Sequence, residues 1–270
     1  KLDAIYGDEP DVENLPLPAE AKMVVPAVRM MVSGEALKTV RLVNNTLLDH
    51  FLKAENYEAV SAPFTPDGIV YAYSTFIYSD FTGDAEGFLK DIQQKIQRYS
   101  REKGKLPKVI FASGLGVLLI ADHAQGAEIL QDVVTDSCRI ARFAGSFGGQ
   151  HPMTPRQIRF IESWEVEQYR SKISLGGTAG RVDRKIIIVT GGAQGFGAGI
   201  VEHLMAHGAN VVIADLNDEK GQAFADSLNQ GNRKNEAFFI KADVSKPESV
   251  AQLIHDTVIR FGGLDVFISN

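Results

Sequence analysis

The stretch that constrains this chain most is 186–200, Ile-Ile-Ile-Val-Thr-Gly-Gly-Ala-Gln-Gly-Phe-Gly-Ala-Gly-Ile. Four β-branched residues in succession, Ile186 to Val189, read as a strand buried on both faces, as in a parallel sheet. Thr190, Gly191, Gly195 and Gly197 follow, and then Ile200, Val201, Leu204 and Met205 recur at helical spacing. Strand, glycine-rich turn and helix together aim backbone N–H groups and a helix N-terminus at a diphosphate. One glycine turns the chain, one lets the backbone approach the phosphates, and one lets the helix lie close to the strand.

The spacing is Gly-x3-Gly-x-Gly led by Thr190, and in that form it resembles the fingerprint of short-chain dehydrogenases/reductases. Three further features fall where the resemblance requires. A second strand over 210–215, Asn-Val-Val-Ile-Ala-Asp, ends in Asp215, 24 positions after Gly191. A carboxylate there accepts the ribose hydroxyls of an adenosine and repels a 2′-phosphate. No Lys or Arg lies between Gly191 and Gly197, so NAD is expected over NADP. Ala242-Asp243-Val244 follows a third strand over 237–241, and the family's matching Asp-Val pair lies beside the adenine. Residues 264–270, Leu-Asp-Val-Phe-Ile-Ser-Asn, look like the fourth strand entering the family's Asn-Asn-Ala-Gly motif, with Ser269 for its first Asn and Asn270 as its second. The resemblance therefore implies that Gly191, Gly195, Phe196 and Gly197 surround the diphosphate. It sets Asp215 and Leu216 at the adenosine ribose, Asp243 and Val244 at the adenine, and Asn270 near the nicotinamide ribose. It also implies a homo-oligomer.

The same family moves its proton with a Ser and a Tyr-x-x-x-Lys pair. No Tyr follows Tyr169 here, so no catalytic residue is assigned, and with Lys1 in place of an initiator Met the chain reads as an internal stretch of a longer protein.

The first half carries no second diphosphate loop. Helical spacing is expected over 35–53, 84–103, 124–144 and 154–171, the last with Thr154 as cap and Pro155 in its first turn. Residues 108–112 and 117–121 read as a hairpin around Ser113-Gly114-Leu115-Gly116, and 60–78 as a turn leading into a strand at Ile69-Val70-Tyr71. Residues 1–26, acidic and broken by four prolines, read as loop. Ser61-Ala62-Pro63-Phe64-Thr65-Pro66-Asp67-Gly68, Val109-Ile110-Phe111-Ala112-Ser113-Gly114-Leu115-Gly116 and Phe160-Ile161-Glu162-Ser163-Trp164-Glu165 resemble the rear of class II aldolase/adducin-type domains. More closely still, the whole chain resembles fused aldolase–short-chain dehydrogenase proteins of sugar catabolism. The expected class is thus α/β: an α+β aldolase-like domain over 1–175, a small-residue linker over 176–184, and a truncated Rossmann doubly wound parallel sheet over 185–270.

Class II aldolases polarise a carbonyl with a histidine-held divalent metal. The usual His-x-His would precede Lys1, and where many members have Asn-His-Gly this chain has Gly114-Leu115-Gly116. No metal ligand is therefore assigned. His203 and His207 share a helix face but read as solvated, and His50, His123, His151 and His255 read as surface residues. Cys138 reads as packed, Glu162, Glu165 and Glu167 as a charged helix face, and Phe238 with Phe239 as core. A net charge of −6 argues against nucleic acid as a partner. No apolar run nears a membrane span, and a single cysteine suits a reducing, cytoplasmic setting. The resemblance implies an NAD-dependent dehydrogenase or reductase acting on a small carbohydrate-type substrate, with a metal-dependent class II aldolase carrying a secondary dehydrogenase, or a non-catalytic nucleotide-binding module, as the alternatives.

Overall fold

The computed structural model describes residues 12–34, 36–163, 180–231 and 233–270. They fall into two compact units: one within Lys1–Ala21, Leu42–Leu119 and Glu128–Gly177, the other within Lys22–Arg41, Ile120–Ala127 and Thr178–Asn270. In chain order the elements are α1 (Ala21–Val32), β1 (Thr39–Val43), α2 (Thr46–Leu52), α3 (Ala54–Tyr57), α4 (Pro66–Ala72), β2 (Ile77–Asp80), α5 (Ala85–Lys103), β3 (Val109–Ser113), β4 (Gly116–Ala121), α6 (Ala124–Ala144) and α7 (Pro155–Glu162). There follow β5 (Ile186–Thr190), α8 (Gly195–Ala206), β6 (Asn210–Asp215), α9 (Asp218–Leu228), β7 (Ala237–Lys241), α10 (Pro247–Phe261) and β8 (Val266–Ile268).

The first sheet has the order β1-β4-β3-β2. The hairpin forms as the glycines require: β3 and β4 pair antiparallel, and Gly114 and Gly116 both take positive φ. A Cβ at Gly114 would lie 2.6 Å from the Phe81 carbonyl oxygen. Leu47, Leu48, Phe51, Phe111, Leu119, Leu130, Val134 and Cys138 share one apolar core beside this sheet. Burial pushes the Cys138 thiol up to about 12, which leaves it a packed apolar group rather than a nucleophile.

Three stretches of this half fold differently from the sequence expectation. Residues 35–53 are not one helix: β-branched Thr39, Val40 and Val43 form β1, and Asn45, accepting the Leu48 N–H at 2.8 Å, starts a separate α2. Ile69-Val70-Tyr71 lie in α4, because Thr65 caps the helix through the Gly68 N–H and Pro66 opens its first turn. The strand comes later, at β2. Residues 21–26 belong to α1 despite Pro26, since Ala21, Val24, Val25, Val28 and Val32 recur at helical spacing and are all buried. The helix expected over 154–171 is described as far as α7, with a full Thr154–Gln157 capping box. Trp164, Glu165 and Glu167 lie outside the described residues, as do linker positions 176–179.

The second sheet is wholly parallel with order β7-β6-β5-β8. Alternate side chains of its strands feed two cores. Ile187, Val189, Val211 and Ile213 pack with Val201 and Met205 of α8 and Ala225 of α9. Ile186, Ile188, Val212 and Ala214 pack on the other face with Leu253 and Phe261 of α10 and with Ala124. Phe239 lies within the first core and Phe238 packs against the second.

His123 is not the surface residue expected. Its Nδ1 accepts the Gly126 N–H at 2.9 Å, taking up a donor of α6 that the helix cannot satisfy itself. That role needs a neutral ring, and burial lowers the pKa of both His123 and His50 below the ordinary 6.5. A lowered histidine pKa means that the unfolded chain takes up protons first as the medium is acidified. The contribution to stability is therefore complete above about pH 6.5 and declines as pH falls toward the lowered folded values. We expect the melting temperature to fall between about pH 6.5 and pH 5, and His123→Gln to flatten that fall. A melting temperature independent of pH across that interval would refute the expectation.

Candidate functional site

Since every strand of the second sheet runs the same way, the C-terminal ends of β5, β6, β7 and β8 lie along one edge. The glycine loop, Asp215-Leu216, Asp243-Val244 and Asn270 follow those four ends respectively. The chain goes from β5 through α8 to β6 on one side, and from β7 through α10 to β8 on the other side of β5. Such a switch point opens a crevice beyond the strand ends, where ligands bind in open α/β sheets.

Gly191 and Gly195 take φ of 61° and 59°, conformations that side-chain-bearing residues avoid. Gly197 serves a different need. A Cβ there would lie 2.0 Å from the Gly191 carbonyl oxygen, so α8 reaches the strand only because position 197 is bare. Gln194 occupies the N-cap of α8 but its side chain bonds none of the helix's first N–H groups. Those groups have no acceptor within the helix, and the helix dipole adds partial positive charge at the same end.

Asp215 is tied to this loop. Its Oδ2 accepts the Ala193 N–H at 3.1 Å and its Oδ1 the Asn217 N–H at 3.0 Å. Each carboxylate oxygen keeps a lone pair for a further donor such as a ribose hydroxyl. Asn270 closes the other side: its N–H donates to Thr190 Oγ1 at 3.1 Å and its Nδ2 to the Gly191 carbonyl at 3.5 Å. Asp243 accepts from the Ser245 hydroxyl at 2.6 Å and the Ser245 N–H at 3.0 Å, and these bonds, hydroxyl first, hold its carboxyl below the usual range. Ser249 Oγ in turn accepts the Asp243 N–H at 2.9 Å. Phe196, Leu216 and Val244 are 93%, 63% and 59% exposed. Apolar side chains that stand out at the edge of a polar crevice are available to cover a planar ring.

Sequence reading did not single out Lys220, whose ammonium donates to Gln194 Oε1 at 3.0 Å and so brings a cation to the glycine loop. Its position in the first turn of α9 carries no local signal of that contact. An open apolar groove of about 710 Å³ lies along α8, lined by Gly195, Phe196, Gly199, Ile200, His203 and Leu204. It shares only Gly195 and Phe196 with the crevice. The rings of His203 and His207 lie tilted against each other, 4.3 Å between centroids, and among the described residues no group of three His, Cys, Asp or Glu could hold a metal.

A four-stranded parallel sheet with this loop and this acidic strand end is a Rossmann-type dinucleotide-binding fold. Comparison with known proteins agrees. Residues 185–270 match the family described as short chain dehydrogenase, and residues 19–170 the family described as aldolase class II, second domain. The chain belongs to the class II aldolase second-domain family and joins that region to a short-chain dehydrogenase region. An uncharacterized oxidoreductase of Bacillus subtilis, YuxG, is 24% identical over 280 residues, 94% of this chain and 40% of that protein. Tropinone reductase-like 1 of Erythroxylum coca is 41% identical over 97 residues, 36% of this chain and 34% of its own length. Trans-4-hydroxycyclohexanecarboxylate dehydrogenase of Sinomonas cyclohexanicum is 42% identical over 94 residues, 33% of this chain and 36% of its own length. The chain thus spans roughly a third to two fifths of these relatives.

The short-chain dehydrogenase family implies a nicotinamide nucleotide, and the residues present fit one: a bare-backbone loop, a helix N-terminal turn without a side-chain cap and a carboxylate beside the loop. The divalent metal of class II aldolases finds no such fit among the described residues. Leu115, whose side chain cannot ligate a metal, is fully buried between Gly114 and Gly116. Among the described residues, no helix is long and apolar enough to cross a membrane.

Proposed function

We propose that this chain binds NAD in preference to NADP, at the C-terminal edge of its second sheet. In this reading it supplies the cofactor site of a dehydrogenase or reductase acting on a small sugar, sugar phosphate, polyol or hydroxyaldehyde. The observation that carries the reading is the bond from the Ala193 N–H to Asp215 Oδ2, which fixes one carboxylate beside the diphosphate loop. Gly191, Gly195, Phe196 and Gly197 hold the diphosphate, with the N-terminal turn of α8 as its electrostatic partner. Asp215 receives the adenosine ribose hydroxyls and Leu216 covers the sugar. Asp243 and Val244 flank the adenine, and Asn270 orients the ribose next to the nicotinamide. When bound, the nicotinamide exchanges a hydride with substrate. The protein's part here is to hold that ring in register and keep the negative edge at Asp215 closed to a 2′-phosphate.

The oxidoreductase names of the relatives support redox chemistry, and the aldolase-family region supports a carbohydrate-type substrate. No aldol step is assigned, since the metal has no fit among the described residues. A cytoplasmic homo-oligomer is the expected setting. The test is calorimetric titration of NAD and of NADP into this chain. Saturable NAD binding at least about tenfold tighter than NADP is expected, a difference of roughly 1.4 kcal/mol. Absence of binding by either nucleotide would overturn the reading.

A further inference from the structure

The strand ends opposite the nucleotide crevice carry two part-buried carboxylates, and both are met by buried arginines from far upstream. Arg29, 7% exposed, donates Nη1 to Asp265 Oδ1 at 3.0 Å and Nη2 to Asp265 Oδ2 at 2.9 Å. A two-point fork of this kind fixes direction as well as distance. The third donor of Arg29, Nε, goes to the Lys38 carbonyl at 2.8 Å, so the fork is locked by its own segment. Asp265 Oδ2 also accepts the Ile186 N–H at 2.8 Å, which links Arg29 through one oxygen to the first residue of β5. Ahead of β7, Glu236 receives Arg41 Nη2 at 3.2 Å and also pairs with Arg260, whose guanidinium lies 4.0 Å over the Phe238 ring.

Backbone shape follows the same plan. Gly262, at φ 99°, ends α10, and a Cβ there would lie 2.9 Å from the Val40 carbonyl oxygen. A Cβ at Gly263 would lie 3.0 Å from Arg29 Nη1. Two adjacent glycines therefore leave room for the 29–40 stretch. Ala124 is fully buried in the layer of Ile186, Ile188 and Phe261, and the Gln125 N–H donates to the Lys234 carbonyl at 3.3 Å.

We propose that Asp265, Glu236 and the Gly262-Gly263 notch form a docking surface at the N-terminal edge of the dinucleotide sheet, and that its occupant is this chain's own Lys22–Arg41 segment together with Ile120–Ala127. The short-chain dehydrogenase region is then completed by two stretches that lie within the aldolase-family part of the sequence. Removing Arg29 leaves the part-buried Asp265 carboxylate, which also holds the first amide of β5, without its two-point partner, and that couples the upstream segment to the sheet. This inference does not rest on nucleotide binding.

The test is amide hydrogen exchange on the full chain without nucleotide, comparing wild type with Arg29→Ala, Arg29→Lys and Arg41→Ala. In Arg29→Ala, exchange at Ile186–Thr190 and Asn210–Asp215 is expected to accelerate roughly a hundredfold or more, while Val109–Ser113 keeps its protection. Arg29→Lys, which keeps the charge but loses the fork, falls between. Arg41→Ala leaves Glu236 its bond to Arg260, so a milder acceleration of the same strands is expected even where Arg29→Ala does not fold. Unchanged exchange at both strands in a folded variant overturns the proposal, and so does equal loss at Val109–Ser113.

Discussion

Replacing Gly197 by alanine is expected to remove nucleotide binding, weakening NAD by about a hundredfold or more. The new methyl carbon would stand 2.0 Å from the Gly191 carbonyl oxygen, 2.8 Å from its carbon and 3.0 Å from Asn270 Nδ2. Two of those atoms are backbone and cannot swing away, so α8 or the loop must move. Overpacking costs about 1–3 kcal/mol where side chains can adjust, and this contact lies at or above the upper end. The displacement falls on the N–H groups to which the proposed function gives the diphosphate. Gly199→Ala on the same helix is the control: no atom lies within 4 Å of its Cβ, and alanine improves a helix interior by about 1 kcal/mol. Calorimetric titration of both variants, with melting curves, separates lost binding from lost folding. NAD bound by the Gly197 variant as tightly as by wild type would show that the loop does not hold the phosphates.

Asp215→Ala is expected to weaken NAD about ten- to a hundredfold and NADP much less, so that the preference narrows or reverses. The carboxylate has two duties here. It anchors Ala193 and Asn217 through their N–H groups, and each of its oxygens keeps a further lone pair. Hydrogen bonds to a charged group contribute about 1.5–3 kcal/mol each, and a 2′-phosphate meets repulsion only while the charge is there. Asp215→Asn tests the charge with an acceptor oxygen retained. Equal losses for NAD and NADP would mean that Asp215 acts only by holding the loop, and the selectivity argument would fail.

How much of this was legible in the residues differs between the halves. In the second half, local chemistry and tertiary role coincide. Buried parallel strands must be continuously apolar, and a tight phosphate loop must be glycine, so 186–200 announces its fold. Asp215, Asp243 and Asn270 are readable because each stands at a strand end or two residues past it, and parallel strands bring all such ends to one edge. The first half offers no such coincidence. Val40, Leu42, Val43, Leu47, Leu48 and Phe51 fit one helical face, yet Asn45 resets the chain and the first three belong to a strand. Pro26 and the prolines before it mask the helical spacing of Val24, Val25, Val28 and Val32. A buried face can carry a helix through a residue that local propensity would reject.

The sequence by itself determined the parallel sheet, its glycine loop and the order of the acidic and amide residues along the crevice, because backbone sterics and strand burial leave few residues able to serve there. Only the tertiary structure decided what holds that sheet from below. Arg29 and Asp265 are 236 positions apart, and each alone is an ordinary charged residue. Nothing local distinguishes them from solvated side chains. Their pairing is set by long-range packing, with a bare Gly262-Gly263 corner, a buried helix around Pro26 and one aspartate shared between an arginine fork and the first amide of β5.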